Sequence, residues 1–132
     1  MNTQPLKWLQ RATDDLAVAR LVLEEDYAAH ACFLAQQCME KSLKAFLLYK
    51  QNRYPRTHKL VDLLTVCRQL DNRWNDFFDD CIVVDQYYIP TRYPDAIPGG
   101  LPEGLPAAAE AAESIASAER LLQFAVTLIP AQ

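Results

Sequence analysis

Ala31 to Tyr49, reading ACFLAQQCMEKSLKAFLLY, is apolar around nearly its whole circumference when wound as a helix. At roughly 100° per residue, Gln37, Glu40, Lys41 and Lys44 share one narrow stripe, while Leu34, Cys38 and Ala45 lie on the adjoining face. A helix this apolar belongs in a protein interior, where Lys and Glu are costly unless they are paired or open onto a cleft. The stripe therefore has two readings. In the plainer one, Glu40 and Lys44 pair in the favoured i, i+4 order. In the other, the stripe is one wall of a site.

The flanking sequence supplies helices to bury this one. Upstream, Thr3 followed by Pro5 marks a helix start. Trp8, Ala12, Leu16, Ala19 and Leu23 then form one amphipathic face to about Glu25, with Trp8 reading as a core anchor. Asp26 is predicted to cap the second helix, which runs to about Asn52, and the short connection makes these two helices antiparallel. Downstream, Pro55 interrupts NRYPRTHK. Thr57 is predicted to cap a third helix carrying Leu60, Leu63, Leu64, Val66, Cys67 and Leu70, stopping near Asp71 and Asn72.

Trp74 to Ile89 is predicted as a fourth helix from the spacing of Trp74, Phe77, Phe78, Cys81, Val84 and Tyr88. The β-branched run Ile82 to Val84 is the one place where a strand competes, and a lone strand would lack a partner. PTRYPDAIPGGLPEGLP, from Pro90 to Pro106, carries all three glycines of the chain and five of its prolines, and no regular element is expected there. Ala111, Ile115, Ala118, Leu122, Ala125 and Ile129 restore helical spacing over Ala107 to Ile129. The expected fold is all-α: an antiparallel bundle of about five helices in one domain over residues 1–132, with a long Pro/Gly-rich loop before the last helix.

Composition narrows the function classes. A chain of 132 residues with 51% hydrophobic and 23% charged residues can bury its own core, and no apolar run is long enough for a bilayer. No membrane association is expected. The N-terminal MNTQPLKWLQRATDD lacks an apolar export segment, and Cys32, Cys38, Cys67 and Cys81 show no zinc-site or redox spacing. These features predict a cytoplasmic protein with four unpaired thiols, no metal and no cofactor. A net charge of −4 argues against non-specific coating of nucleic acid, which rewards a broad basic surface. A local basic cleft remains open, because Lys41, Lys44, Lys50, Arg53, Arg56 and Lys59 concentrate positive charge in mid-chain.

Two further groups could carry chemistry. Arg92, Tyr93 and Asp95 lie around Pro90 and Pro94, which restrict the backbone. Arg92 offers a planar fork for phosphate, Tyr93 a stacking face, and Asp95 an acceptor to orient Arg92 or a sugar hydroxyl. The alternative is an Arg/Asp pair that pins a loop to the bundle. His58 follows Arg53 and Arg56 beside the expected cap, and histidine is a common general acid or base. It can equally serve to order a helix start. His30 has no charged neighbour in sequence and is assigned no role. No phosphate-binding glycine loop, H-E-x-x-H or nucleophile elbow is present.

Three separated motifs then point the same way. Ala31, Cys32, Phe33, Gln36, Gln37, Glu40, Lys41, Lys44 and Ala45, with THKLVDLL from Thr57 to Leu64 and RYPD from Arg92 to Asp95, resemble the HEPN (higher eukaryotes and prokaryotes nucleotide-binding) family. The resemblance runs from Trp8 to the last helix. It implies a helical bundle that binds nucleotide or RNA, often as a homodimer. It also implies a possible partner in a minimal nucleotidyltransferase, in a toxin–antitoxin type pair, and in some members a metal-independent RNase. Such RNases carry an Arg followed four to six residues later by a His.

Here Arg92 is followed by Tyr93, Pro94, Asp95, Ala96, Ile97, Pro98 and Gly99, with no histidine in that window; Arg53 and His58 fit the spacing in a different loop. The expected ligand-binding residues are Gln37, Glu40, Lys41, Lys44, Arg92, Tyr93 and Asp95. Arg92 and His58 are the catalytic pair if the chain is an endoribonuclease. A non-catalytic protein-interaction subunit is the third alternative.

Overall fold

The structure, a computed structural model, describes residues 3–88 and 106–131. Within these residues lie five α-helices: α1 (Gln4–Glu24), α2 (Ala28–Gln51), α3 (Leu60–Leu70), α4 (Phe78–Asp85) and α5 (Ala108–Leu128). A 3-10 helix, Asn72–Phe77, leads into α4. The expected all-α bundle is thus observed. Its expected Pro/Gly-rich loop lies outside the described residues. Among the described residues, no helix is long and apolar enough to cross a membrane.

The apolar girth of α2 dictates the architecture. It packs against α1, α3, α4 and α5, and Ala31, Cys32, Ala35, Met39, Leu43, Phe46 and Leu47 are fully buried. Core residues come from all five helices. α2 is buried as its composition requires, whereas Ile82 and Val83 of α4 remain exposed. The four cysteines are free and buried. Burial pushes the Cys32 thiol up to about 11 and that of Cys38 up to about 12, and it raises Cys67 and Cys81 as well. None is a thiolate of the kind that attacks substrates at neutral pH.

The helix ends differ from the sequence expectations in instructive ways. Asp26 does not cap α2; Tyr27 occupies that position. Asp26 instead takes a left-handed φ of 69° and closes α1, with Tyr27 N–H donating to Val22 O at 2.9 Å and Asp26 N–H to Leu23 O at 3.0 Å. These are the two bonds of a Schellman motif, and aspartate is one of the few residues besides glycine that visits this conformation readily. Thr57 stands two residues too early to be the cap of α3, which starts after Lys59. Its hydroxyl accepts from Lys59 N–H at 3.1 Å and donates to Asp62 at 2.9 Å.

The orphan amides of α3 find their acceptor on another element. Asp85, at the end of α4, accepts from Leu60 N–H at 2.7 Å and from Val61 N–H at 3.0 Å. The predicted fourth helix is also divided in two. Asp71 accepts from Arg73 N–H at 3.0 Å and opens the 3-10 turn, whose three-residue repeat puts Trp74 and Phe77 on one side. Trp74 is fully buried there, 5.0 Å from the Phe46 ring and 4.8 Å from that of Phe124.

Burial raises the Asp85 carboxyl, and the two amide donors only partly offset this. The native state therefore holds its proton to higher pH than the unfolded chain. Between the ordinary aspartate range and the raised native value, its contribution to stability falls as pH rises. Asp85→Ala is expected to destabilise the fold by about 1–2 kcal/mol, the usual cost of a lost cap, and Asp85→Asn by less. Urea denaturation of the three proteins at a series of pH values upward from the ordinary aspartate range checks both magnitude and slope.

Candidate functional site

The polar stripe of α2 closes on itself around Glu40. This carboxylate is 6% exposed, and it accepts a 2.8 Å hydrogen bond from Lys44 Nζ, which is 8% exposed. A buried carboxylate needs further donors, and three side chains supply them. Gln36 Nε2 and Gln37 Nε2 both lie 3.4 Å from Glu40 Oε1. His58 Nδ1 lies 3.2 Å from Oε2 and 3.4 Å from Oε1.

Gln36 extends the network into the α2–α3 connection. Its amide is fully buried, donates to the His58 carbonyl at 2.9 Å, and accepts from Gln37 Nε2 at 2.7 Å. The backbone at His58 is thereby tied to α2 while its ring is tied to Glu40. A carboxylate only accepts, so the facing Nδ1 carries the proton, and in the neutral form of the ring Nε2 keeps its lone pair. The ring stacks on Tyr88, with centroids 5.3 Å apart and planes 12° from parallel, yet 63% of the side chain is exposed. An oriented imidazole with an open side and a carboxylate behind it is an arrangement suited to general base catalysis.

Lys44 keeps its ammonium inside. Besides Glu40, it lies 4.9 Å from the Tyr54 ring centroid and 5.9 Å from that of Trp8, both within cation–π range. Trp8 meets Tyr54 edge to face at 5.9 Å. Trp8 is half-buried and packs against the core, as its periodicity implied, and it also forms a wall over Lys44. Lys41 points another way and pairs with Asp15 of α1.

Of the residues singled out in the sequence, Gln37, Glu40, Lys44 and His58 come together. Lys41 turns away from them to Asp15. Arg92, Tyr93 and Asp95 lie outside the described residues. Gln36 and Tyr88 were not anticipated. Gln36 precedes Glu40 by one helical turn, which is the signal that could have found it; Tyr88 meets His58 only through the tertiary fold. Among the described residues, no three His, Cys, Asp or Glu side chains cluster as a metal site.

The HEPN domain profile matches residues 6–129 of this sequence. The chain belongs to the HEPN family. Its fold is similar to that of a crystallised protein from Thermus thermophilus, at 33% identity and a TM-score of 0.83, over 96% of this chain and 98% of the other. An archaeal HEPN homologue matches at 32% identity and a TM-score of 0.76, over 98% and 100% of the two chains. A HEPN domain protein from Thermotoga maritima matches at 25% identity and 0.74, over 92% and 96%. A comparison with curated proteins finds no match. In this HEPN chain the Gln-Gln-x-x-Glu-Lys-x-x-Lys run has a physical reason: successive turns of α2 bring both glutamines and Lys44 to one buried carboxylate.

Removing Glu40 alone would strand the buried ammonium of Lys44. Glu40→Ala is expected to cost about 3–5 kcal/mol, whereas Glu40→Leu with Lys44→Met recovers most of that loss. Denaturant unfolding of both variants is the check; equal destabilisation by the two would show that the pair's charge is not what matters.

Proposed function

We propose that this HEPN chain binds a nucleotide or an RNA phosphodiester beside His58. The observation that carries this reading is the exposed imidazole held at Nδ1 by buried Glu40 and stacked on Tyr88. Such a ring offers Nε2 as an acceptor to a ribose hydroxyl when neutral and as a donor to a phosphate oxygen when protonated, in a network rigid enough to fix its direction. Arg92, Tyr93 and Asp95 complete the site in this proposal, Arg92 as the phosphate fork, on the strength of the RYPD resemblance.

The same imidazole favours a second reading, a metal-independent endoribonuclease. There His58 Nε2 takes the proton of a ribose 2′-hydroxyl as its oxygen attacks the adjacent phosphorus, the bond to the 5′-oxygen breaks, that oxygen takes a proton from water, and a 2′,3′-cyclic phosphate is left. Glu40 would steady the imidazolium so formed. Pairing with a nucleotidyltransferase, in a toxin–antitoxin arrangement or otherwise, belongs to the proposal at the level of the family resemblance.

Titration with a short RNA at fixed salt separates these readings. Arg92→Ala is expected to weaken binding by about 1.5–3 kcal/mol, and Arg92→Lys to recover only part, since an ammonium lacks the fork. Unchanged affinity with a lowered melting point would make Arg92 a loop pin. Cleavage of total RNA that survives EDTA and disappears in His58→Gln supports the endoribonuclease. Binding without cleavage leaves the binding module.

A further inference from the structure

A concavity opens beside Trp8 on α1. It encloses about 410 Å³ and is lined by Gln4, Lys7, Trp8, Arg11 and Lys41. This volume lies within the range of small-molecule sites. Three of its five lining residues are cations, in a chain whose net charge is −4. Lys41 is neutralised by Asp15. Lys7 and Arg11 are exposed, and among the described residues neither has an ion-pair partner. They sit one turn apart on α1, where i and i+4 side chains are neighbours, so their like charges repel. An anion between them would remove that repulsion.

The wall of this groove is also the wall of the buried network. The Trp8 indole that lines it stands 5.9 Å from Lys44 Nζ and 5.9 Å from the Tyr54 ring. Its position is fixed from behind by packed aromatic and charged groups, which makes it a pre-set platform rather than a swinging side chain. Two unpaired cations beside a fixed indole suit a ligand that carries both phosphate and a flat ring. An acidic peptide would use the cations and leave the indole idle.

We propose that the groove bounded by Lys7, Trp8, Arg11 and Lys41 is a nucleotide subsite. Phosphate oxygens lie on Lys7 and Arg11 and a base packs against Trp8. The ligand is either a free nucleoside triphosphate or one nucleotide of a single RNA strand. This rests on the nucleotide- or RNA-binding reading above and adds to it a second place of contact, on α1.

The test uses the full chain and three probes: ATP, pyrophosphate and a short oligoadenylate. Calorimetric titration of the wild type is compared with Lys7→Glu/Arg11→Glu, with His58→Gln, and with Gln123→Glu as an exposed control on α5, outside the groove lining. The double variant is expected to lose at least about tenfold in affinity for ATP or the oligoadenylate, or both, with an unchanged melting temperature. For the oligoadenylate, its slope of log affinity against log salt should shrink by about 1.4, about 0.7 for each lost phosphate contact. Gln123→Glu should stay within about twofold of the wild type.

Binding of ATP alone, or of the oligoadenylate alone, identifies the source and supports the subsite. Double-variant affinity within about twofold of the wild type overturns the subsite while leaving the His58 reading standing. Loss in the double variant with full retention in His58→Gln upholds the subsite and overturns the His58 reading. Pyrophosphate binding as tightly as ATP and the oligoadenylate overturns the role of Trp8. A wild type that binds none of the probes overturns both.

Discussion

Burying a carboxylate against a lysine is the constraint from which most of this structure follows. Glu40 and Lys44 are each almost wholly removed from water, and the attraction between two such charges repays their desolvation only when the remaining lone pairs and protons are also satisfied. The chain meets that requirement with side chains from several elements. Gln36 and Gln37 donate from the preceding turn of α2, His58 donates from the connection to α3, and the Trp8 and Tyr54 rings stand near the ammonium from α1 and from the connection. A change in any of these leaves a buried charge short of a partner. The network therefore holds the connection against α2 and fixes the direction of the one imidazole it contains.

The same sharing of partners recurs at the helix ends. α3 has no side-chain cap of its own; Asp85 supplies it from α4, so the start of α3 and the end of α4 are ordered together. His58 lies two residues before that start, and Tyr88 three residues after Asp85. The stacking of His58 on Tyr88 is thus positioned by a cap that touches neither ring. Between α4 and α5, Asp80 accepts from Ser117 at 3.0 Å and from Arg120 at 3.1 Å, which seats α4 against the last helix. The exposed imidazole stands on a rigid base because the elements beneath it are tied to one another, and rigidity is what a binding or catalytic group needs.

Much of the fold was legible because it rests on period. The apolar girth of α2, the spacing of Trp8 to Leu23 and the Ala-rich face of α5 each read as helices and are helices. The Glu40–Lys44 pair was legible for the same reason, since i, i+4 geometry is local. What the sequence hid was every interaction that crosses elements. Asp26 resembled an N-cap because caps and left-handed C′ positions favour overlapping residue types; only the fold decides which end it serves. Asp85 gave no sign of capping a helix that begins 25 residues earlier. His58 was suspected as a general acid or base from its neighbours Arg53 and Arg56 and its place before α3, whereas the carboxylate that orients it lies 18 residues away on α2.

The central claim is that Glu40 holds His58 with Nδ1 protonated and Nε2 open. The imidazole nitrogen shifts of a uniformly labelled protein, read from a long-range proton–nitrogen correlation spectrum at a pH where the ring is neutral, report the tautomer directly. His30, which lacks a carboxylate partner among the described residues, serves as the internal reference. The Nδ1–H tautomer is expected to dominate at His58 in the wild type and to give way in Glu40→Gln. A dominant Nε2–H tautomer in the wild type, or a spectrum indifferent to Glu40, would contradict it.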